Sequence, residues 1–182
     1  MSYGPPRPAG RLLLTPEDPE APTRVRRLRA LGLGEHAEPV LDDFARCLAD
    51  IASTPYAMVN FLDESGQFYA GLHQPGPVAG QLGRRLARDF GFCPHVVVRR
   101  KALVLEDVRD YPRFAGNPIV DDLGARSYLG APLIDRTGVV LGTVCAVDVE
   151  PRPWGLPGLG TVKALAAELV ERIHRRESEG LF

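Results

Sequence analysis

The sequence has few cysteines, few aromatics and almost no net charge, and each shortage closes off a class of protein. Its 182 residues hold three cysteines, Cys47, Cys93 and Cys145, too few and odd in number for a disulfide scaffold. Reduced thiols of this kind fit a cytoplasmic location, which is expected here. The net charge is -1, from 22 basic and 23 acidic side chains, so no global field draws nucleic acid or an anionic membrane, and neither is expected as a partner. No apolar run approaches the roughly 20 residues that cross a bilayer, and MSYGPPRPAGR lacks the apolar core of a signal peptide. There is no CxxC or HxxxH pair to seed a structural zinc site, and no metal or cofactor is expected. Aromatics make up only 7%, yet the 45% hydrophobic content and the length are enough for one domain with its own core.

Residues 1–22 carry Pro5, Pro6, Pro8, Pro16, Pro19 and Pro22 and read as a disordered arm, because proline removes donors and disfavours helix before it. The domain is expected over 23–178, with a tail at 179–182. Its first element is a helix capped by Thr23 and ending near Leu31, whose Arg24, Arg26, Arg27 and Arg29 read as a solvated face. A second helix starts at Pro39 and presents Leu41, Phe44, Leu48 and Ile51 on one stripe, with Cys47 at its border read as core. Tyr56 to Leu62 and Gln67 to Leu72 read as a hairpin. After the link PRPWGLPGLG, Thr161 is expected to cap a last helix with Val162, Leu165, Ala166, Leu169 and Ile173 in one stripe, and with Ala167 and Val170 beside it.

The richest stretch is Arg126 to Trp154. SYLGAPLI and VVLGTVCAVDV, separated by Asp135 to Gly138, form a buried hairpin in which Gly130 and Gly142 mark close approach of another group. Gly130, Pro132, Leu133, Gly138, Leu141, Gly142, Thr143, Cys145, Asp148, Pro151 and Arg152 match a string typical of bacterial GAF domains. Phe92 to Val120 is similar to the segment upstream of it, so the resemblance covers about Arg24 to Arg176. It implies an α+β fold: a central antiparallel sheet in the order 2-1-5-4-3, the terminal helices on one face, and a loop and helix cover over a pocket on the other. It also implies a homodimer through the terminal helices, Thr23 to Leu31 and Thr161 to Arg176.

Phe61, Tyr69, Phe92, Cys93, His95, Asp107, Phe114 and Tyr128 are the candidate lining of that pocket, with aromatic surface for a planar compound and polar groups to orient it. Alternation along the strands leaves the facing of Phe61 and Tyr128 open. The cluster Cys93-Pro94-His95, on a helix starting near Asp89, is the one place where a thiol and an imidazole meet, and it reads as a packed cysteine beside a pocket histidine. His36, His73 and His174 read as surface residues.

Among GAF proteins, bilin binders place histidine directly after the attachment cysteine, whereas Pro94 intervenes here. The string from Asn117 to Asp122 lacks the lysine and phenylalanine of the cyclic-nucleotide signature. Free methionine sulfoxide reductases use closely placed cysteines; with Cys93 in the cover and Cys145 in a strand, neither that arrangement nor a disulfide between the two is expected. The chain is therefore read as non-catalytic, sensing an unidentified small molecule or binding protein, with its signal passing to a separate signalling protein. The alternatives are a thiol-dependent reductase of that type and a dimeric scaffold whose pocket is filled by its own aromatic side chains.

Overall fold

A computed structural model describes residues 15–76 and 81–180. Two helices, α1 (Ala21–Ala30) and α2 (Pro39–Ala52), precede the hairpin β1 (Tyr56–Leu62) and β2 (Gly66–His73). A cover follows: β3 (Arg85–Ala87), α3 (Cys93–Arg99), β4 (Leu103–Leu105), a 3-10 turn at Val108–Asp110, α4 (Pro112–Ala115) and α5 (Pro118–Leu123). The second hairpin, β5 (Ser127–Ile134) and β6 (Val140–Asp148), leads into α6 (Gly155–Ser178). All pairings are antiparallel, and the sheet runs β3-β2-β1-β6-β5-β4. Without β3 this is the five-strand order expected from the resemblance. The added strand is an edge of three residues held against Gly66 to Phe68.

Strand alternation divides the core in two. Ala57, Val59 and Phe61 of β1, with Val144 and Ala146 of β6, face α2 and α6. Met58 and Leu62 of β1, with Tyr69, Tyr128, Cys145 and Val147, face the cover. The apolar stripe of α6 (Val162, Leu165, Ala166, Leu169, Ile173) is buried against the first of these faces, so its main use is intramolecular. Among the described residues no helix is long and apolar enough to cross a membrane.

Several boundaries and burials differ from expectation. Thr23 lies inside α1, which starts after Glu20 with a proline in its first turn, and Thr15 to Glu20 belong to the described structure; the rest of the expected arm, 1–14, lies outside the described residues. Thr161 is likewise internal. The second half of the Gly- and Pro-rich link, 155–160, forms the first turns of α6, since Pro157 falls where helical N–H groups have no intrahelical partner, and a Cβ added at Gly158 would lie 3.0 Å from Trp154 Cβ. The Thr161 hydroxyl donates back to the Pro157 carbonyl, 2.9 Å away. Helix α3 starts at Cys93 rather than near Asp89.

Arg24 does not lie on a solvated face. It is 1% exposed, ion-paired to Asp18 at 2.6 Å, and its Nε donates to the Val140 carbonyl at 2.5 Å. Arg27 bridges Asp135 and Glu177, tying α1 to the β5–β6 turn and to the end of α6. Cys47 is exposed and Ile51 is 53% exposed, because Leu41, Phe44, Ala45 and Leu48 already fill the buried side of α2 and both residues fall outside that arc.

Candidate functional site

The chemistry concentrates on the cover side of the central strands. β1 contributes Asn60, β6 contributes Thr143 and Cys145, and β5 contributes Tyr128. Tyr128 needs room along its own strand, and Gly130 supplies it: a Cβ there would lie 2.5 Å from Tyr128 Cζ. Cys93, at the start of α3, points down into this group. Contrary to the expectation that the two cysteines are not closely placed, its Sγ is 3.6 Å from Cys145 Sγ, because α3 packs over β6; it is also 3.3 Å from the Tyr128 hydroxyl, and the Thr143 hydroxyl donates to it at 3.1 Å. Cys93 and Cys145 are 4% and 0% exposed. The neighbouring Cys145 thiol, with Thr143, Tyr128 and Asn60, stabilises a Cys93 thiolate against the burial that opposes it, and lowers its pKa. Cys145 moves the opposite way, well above the usual thiol range, because of its hydrogen bond with Cys93 and its burial.

Amides tie this group to the cover. Asn60 Nδ2 donates to Gln67 Oε1 at 2.7 Å, and Gln67 Nε2 donates in turn to the carbonyls of Ala87 and Phe90 at 2.8 and 2.6 Å. Asn117 caps α5 by accepting from Ile119 N–H, accepts from Gly91 N–H at 2.8 Å and donates to the Gly91 carbonyl at 2.8 Å. The residue considered for a cyclic-nucleotide signature is thus a clamp on the cover.

Of the candidate lining residues, the fold brings Tyr69, Phe92, Cys93, Phe114 and Tyr128 into one buried cluster. Phe92 meets the edges or faces of Phe114 at 5.5 Å and Tyr128 at 5.2 Å, both T-shaped. His95 packs on Phe114 at 4.9 Å. Phe61 does not join them, because the odd-numbered positions of β1 face α2 and α6. Asp107 is engaged elsewhere too: it caps the 3-10 turn through Arg109 N–H and its carboxylate pairs with Arg126 at 2.8 Å. That ion pair holds its carboxyl below the usual range. His73 and His174 are half-buried and His36 is exposed; His174 Nε2 accepts from Arg136 N–H.

Two openings matter. Thr15, Asp89, His95, Arg113 and Asn117 line a cleft near the cover of about 20 Å³, room for roughly one water molecule. On the helix-bearing face, a groove of about 680 Å³ runs between α6 and the α3–β4 and β5 segments, floored by Ala131, Ala166 and Val170 and rimmed by Arg100, Lys101 and Lys163.

The comparisons agree with this geometry. The family model described as GAF domain matches residues 36–173. The chain belongs to the GAF domain family. A cyclic di-GMP phosphodiesterase of Pseudomonas aeruginosa is 29% identical over 170 residues, which cover 91% of this chain but only 28% of that protein. The chain thus spans under a third of the length of that curated relative. The GAF domain of an Acinetobacter phosphoenolpyruvate-protein phosphotransferase superposes with a TM-score of 0.61 at 18% identity, covering 92% of this chain and all (100%) of that one. Free methionine-R-sulfoxide reductase from Neisseria meningitidis, solved with its substrate, gives a TM-score of 0.61 at 16% identity over 92% and 96% of the two chains. Likenesses at such identity speak for the GAF fold alone.

His95 gives this domain a pH signature. It is 4% exposed, its Nδ1 has no protein hydrogen-bond partner, and burial, then the nearby Arg113 and Arg88, lower its pKa to about 4. A base whose folded pKa lies below its unfolded value binds more protons when unfolded. Its stabilisation is therefore complete above about pH 6.5 and falls away as the pH drops towards 4. Urea unfolding at pH 7 and pH 4.5 should differ by about 2 kcal/mol more in the native sequence than in His95→Gln. Equal pH dependence in the two proteins would count against a neutral buried imidazole.

Proposed function

We propose that this GAF domain is a non-catalytic module of bacterial signal transduction that works in the cytoplasm by contact with a separate effector and with a second copy of itself. One observation carries the reading. Tyr69, Phe92, Phe114 and Tyr128 close on one another in the space between sheet and cover where a ligand was expected. That packing supports the protein-interaction reading over the small-ligand sensor. The groove beside α6 offers the contact surface, with an apolar floor and a basic rim. The name of the Pseudomonas aeruginosa relative makes a cyclic di-GMP phosphodiesterase the first effector class to test in trans.

Native mass spectrometry of protein purified from its source tests the reading. The expected species is twice the chain mass with nothing added. A bound compound that copurifies stoichiometrically would restore the ligand-sensor reading, and a monomer at tens of micromolar, a concentration suited to weak association, would remove the dimer.

A thiol-dependent reductase of free methionine sulfoxide is the second reading, favoured by the 3.6 Å approach of Cys93 and Cys145. The burial of both sulfurs argues against a substrate reaching them. No methionine should form from its sulfoxide with a thiol reductant; turnover that is lost in Cys93→Ser would put the enzyme first.

A further inference from the structure

The two sulfurs on β6 and α3 invite a use that neither ligand binding nor turnover requires. They lie 3.6 Å apart across a sequence separation of 52 residues, on two separate elements of the fold. A disulfide needs about 2.0 Å between sulfurs, a closure that a small movement of α3 can supply. Cys145 is held in a central strand paired on both sides, whereas Cys93 is at the first turn of a seven-residue helix in the cover. The donors around Cys93 make it the first of the pair to ionise, and the Cys145 thiol is its neighbour in line to resolve it.

From this geometry we infer that Cys93 and Cys145 are a reversible dithiol–disulfide site, oxidised by peroxides of water-like size, whose disulfide fastens the cover helix α3 to the central strand β6. In the first step the Cys93 thiolate attacks hydrogen peroxide. An S–O bond forms, the O–O bond breaks, and the hydroxide released takes a proton to leave as water. In the second step the Cys145 sulfur attacks the Cys93 sulfenic acid. The S–S bond forms, the S–O bond breaks, and the departing hydroxide carries the Cys145 proton away as a second water. The sulfurs lose two electrons, which reduce one peroxide to two waters; a dithiol reductant reverses the change. Burial excludes bulky reagents but admits an oxidant this small through local opening of a short helix. Arg100 and Lys101, directly after α3, line the groove beside α6, so a shift of α3 reaches that surface.

The test treats the full chain with hydrogen peroxide, then denatures it in an alkylating reagent and measures the intact mass. The expected product is about 2 Da lighter before alkylation, accepts the reagent at Cys47 alone, yields a Cys93–Cys145 linked peptide, and returns to three reactive thiols with a dithiol. Cys145→Ser should instead gain about 16 Da and be trapped at Cys93 by a sulfenic-acid reagent. Peptide mapping of the native sequence gives its answer even if that variant does not fold. Three alkylatable thiols after peroxide, over-oxidation of Cys93 without a link, or a link through Cys47 would each overturn the site. Methionine sulfoxide turnover is measured on the same samples, so failure of the non-catalytic reading is distinguished from failure of this one.

Discussion

Gly142→Ala is expected to destabilise the domain by about 4 kcal/mol or more, close to unfolding it. Gly142 sits in β6 opposite Phe61 of β1 and Leu133 of β5, with strands on both sides. An added Cβ would overlap the Asn60 carbonyl, lying 2.9 Å from its carbon and 3.0 Å from Phe61 Cα. These are backbone atoms in a paired strand, so no flexible side chain can yield. Both central strands would have to part, disturbing the ladder beneath the Cys93 group. A urea titration that finds the variant within about 1 kcal/mol of the native protein would show that β1 gives way more readily than this packing implies.

Phe92→Ala should lower stability by about 3–5 kcal/mol and, unlike Gly142→Ala, create a binding site. Phe92 is 0% exposed and its ring is wedged between Phe114 and Tyr128. Its removal leaves a void lined by the Phe114 and Tyr128 rings, which packing on both sides holds from collapsing fully. Benzene or indole should therefore raise the melting temperature of the variant and leave the native protein unchanged. A native protein stabilised equally by such probes would mean that the interior already has room, and the proposal of a self-filled pocket would fall.

Much of the fold was legible because it rests on local pattern. The strands Tyr56–Leu62 and Ser127–Ile134 fall where short apolar runs bounded by turn residues put them, and the start of α2 at Pro39 follows from the fixed φ of proline at a helix N-terminus. Gly130 and Gly142 read as points of close approach, and the structure names what approaches: the Tyr128 ring and the Asn60 backbone. Helix caps were less legible. Thr23 and Thr161 have the right chemistry for a cap but lie inside longer helices, because prolines in a first turn do not stop a helix that tertiary packing extends.

The candidate site was only half legible. Tyr69, Phe92, Cys93, Phe114 and Tyr128 converge as expected, while Phe61 and Asp107 do not. Asn60, Gln67 and Thr143 went unnoticed, since single amides and hydroxyls in strands carry no spacing signal. A register would have brought Asn60 and Thr143 together, because they pair across β1 and β6.

The sequence by itself determined the α+β elements, which follow from periodicity and turn residues, and its resemblance to GAF domains implied the family and the order of the five core strands. Only the tertiary structure decided which face each strand residue takes, that Arg24 is buried against Asp18, and that Cys93 and Cys145 meet at 3.6 Å. Each of those depends on strand register and on contacts between residues far apart in the chain. A shift of one residue in a strand would reverse every facing, and no local pattern records which register is chosen.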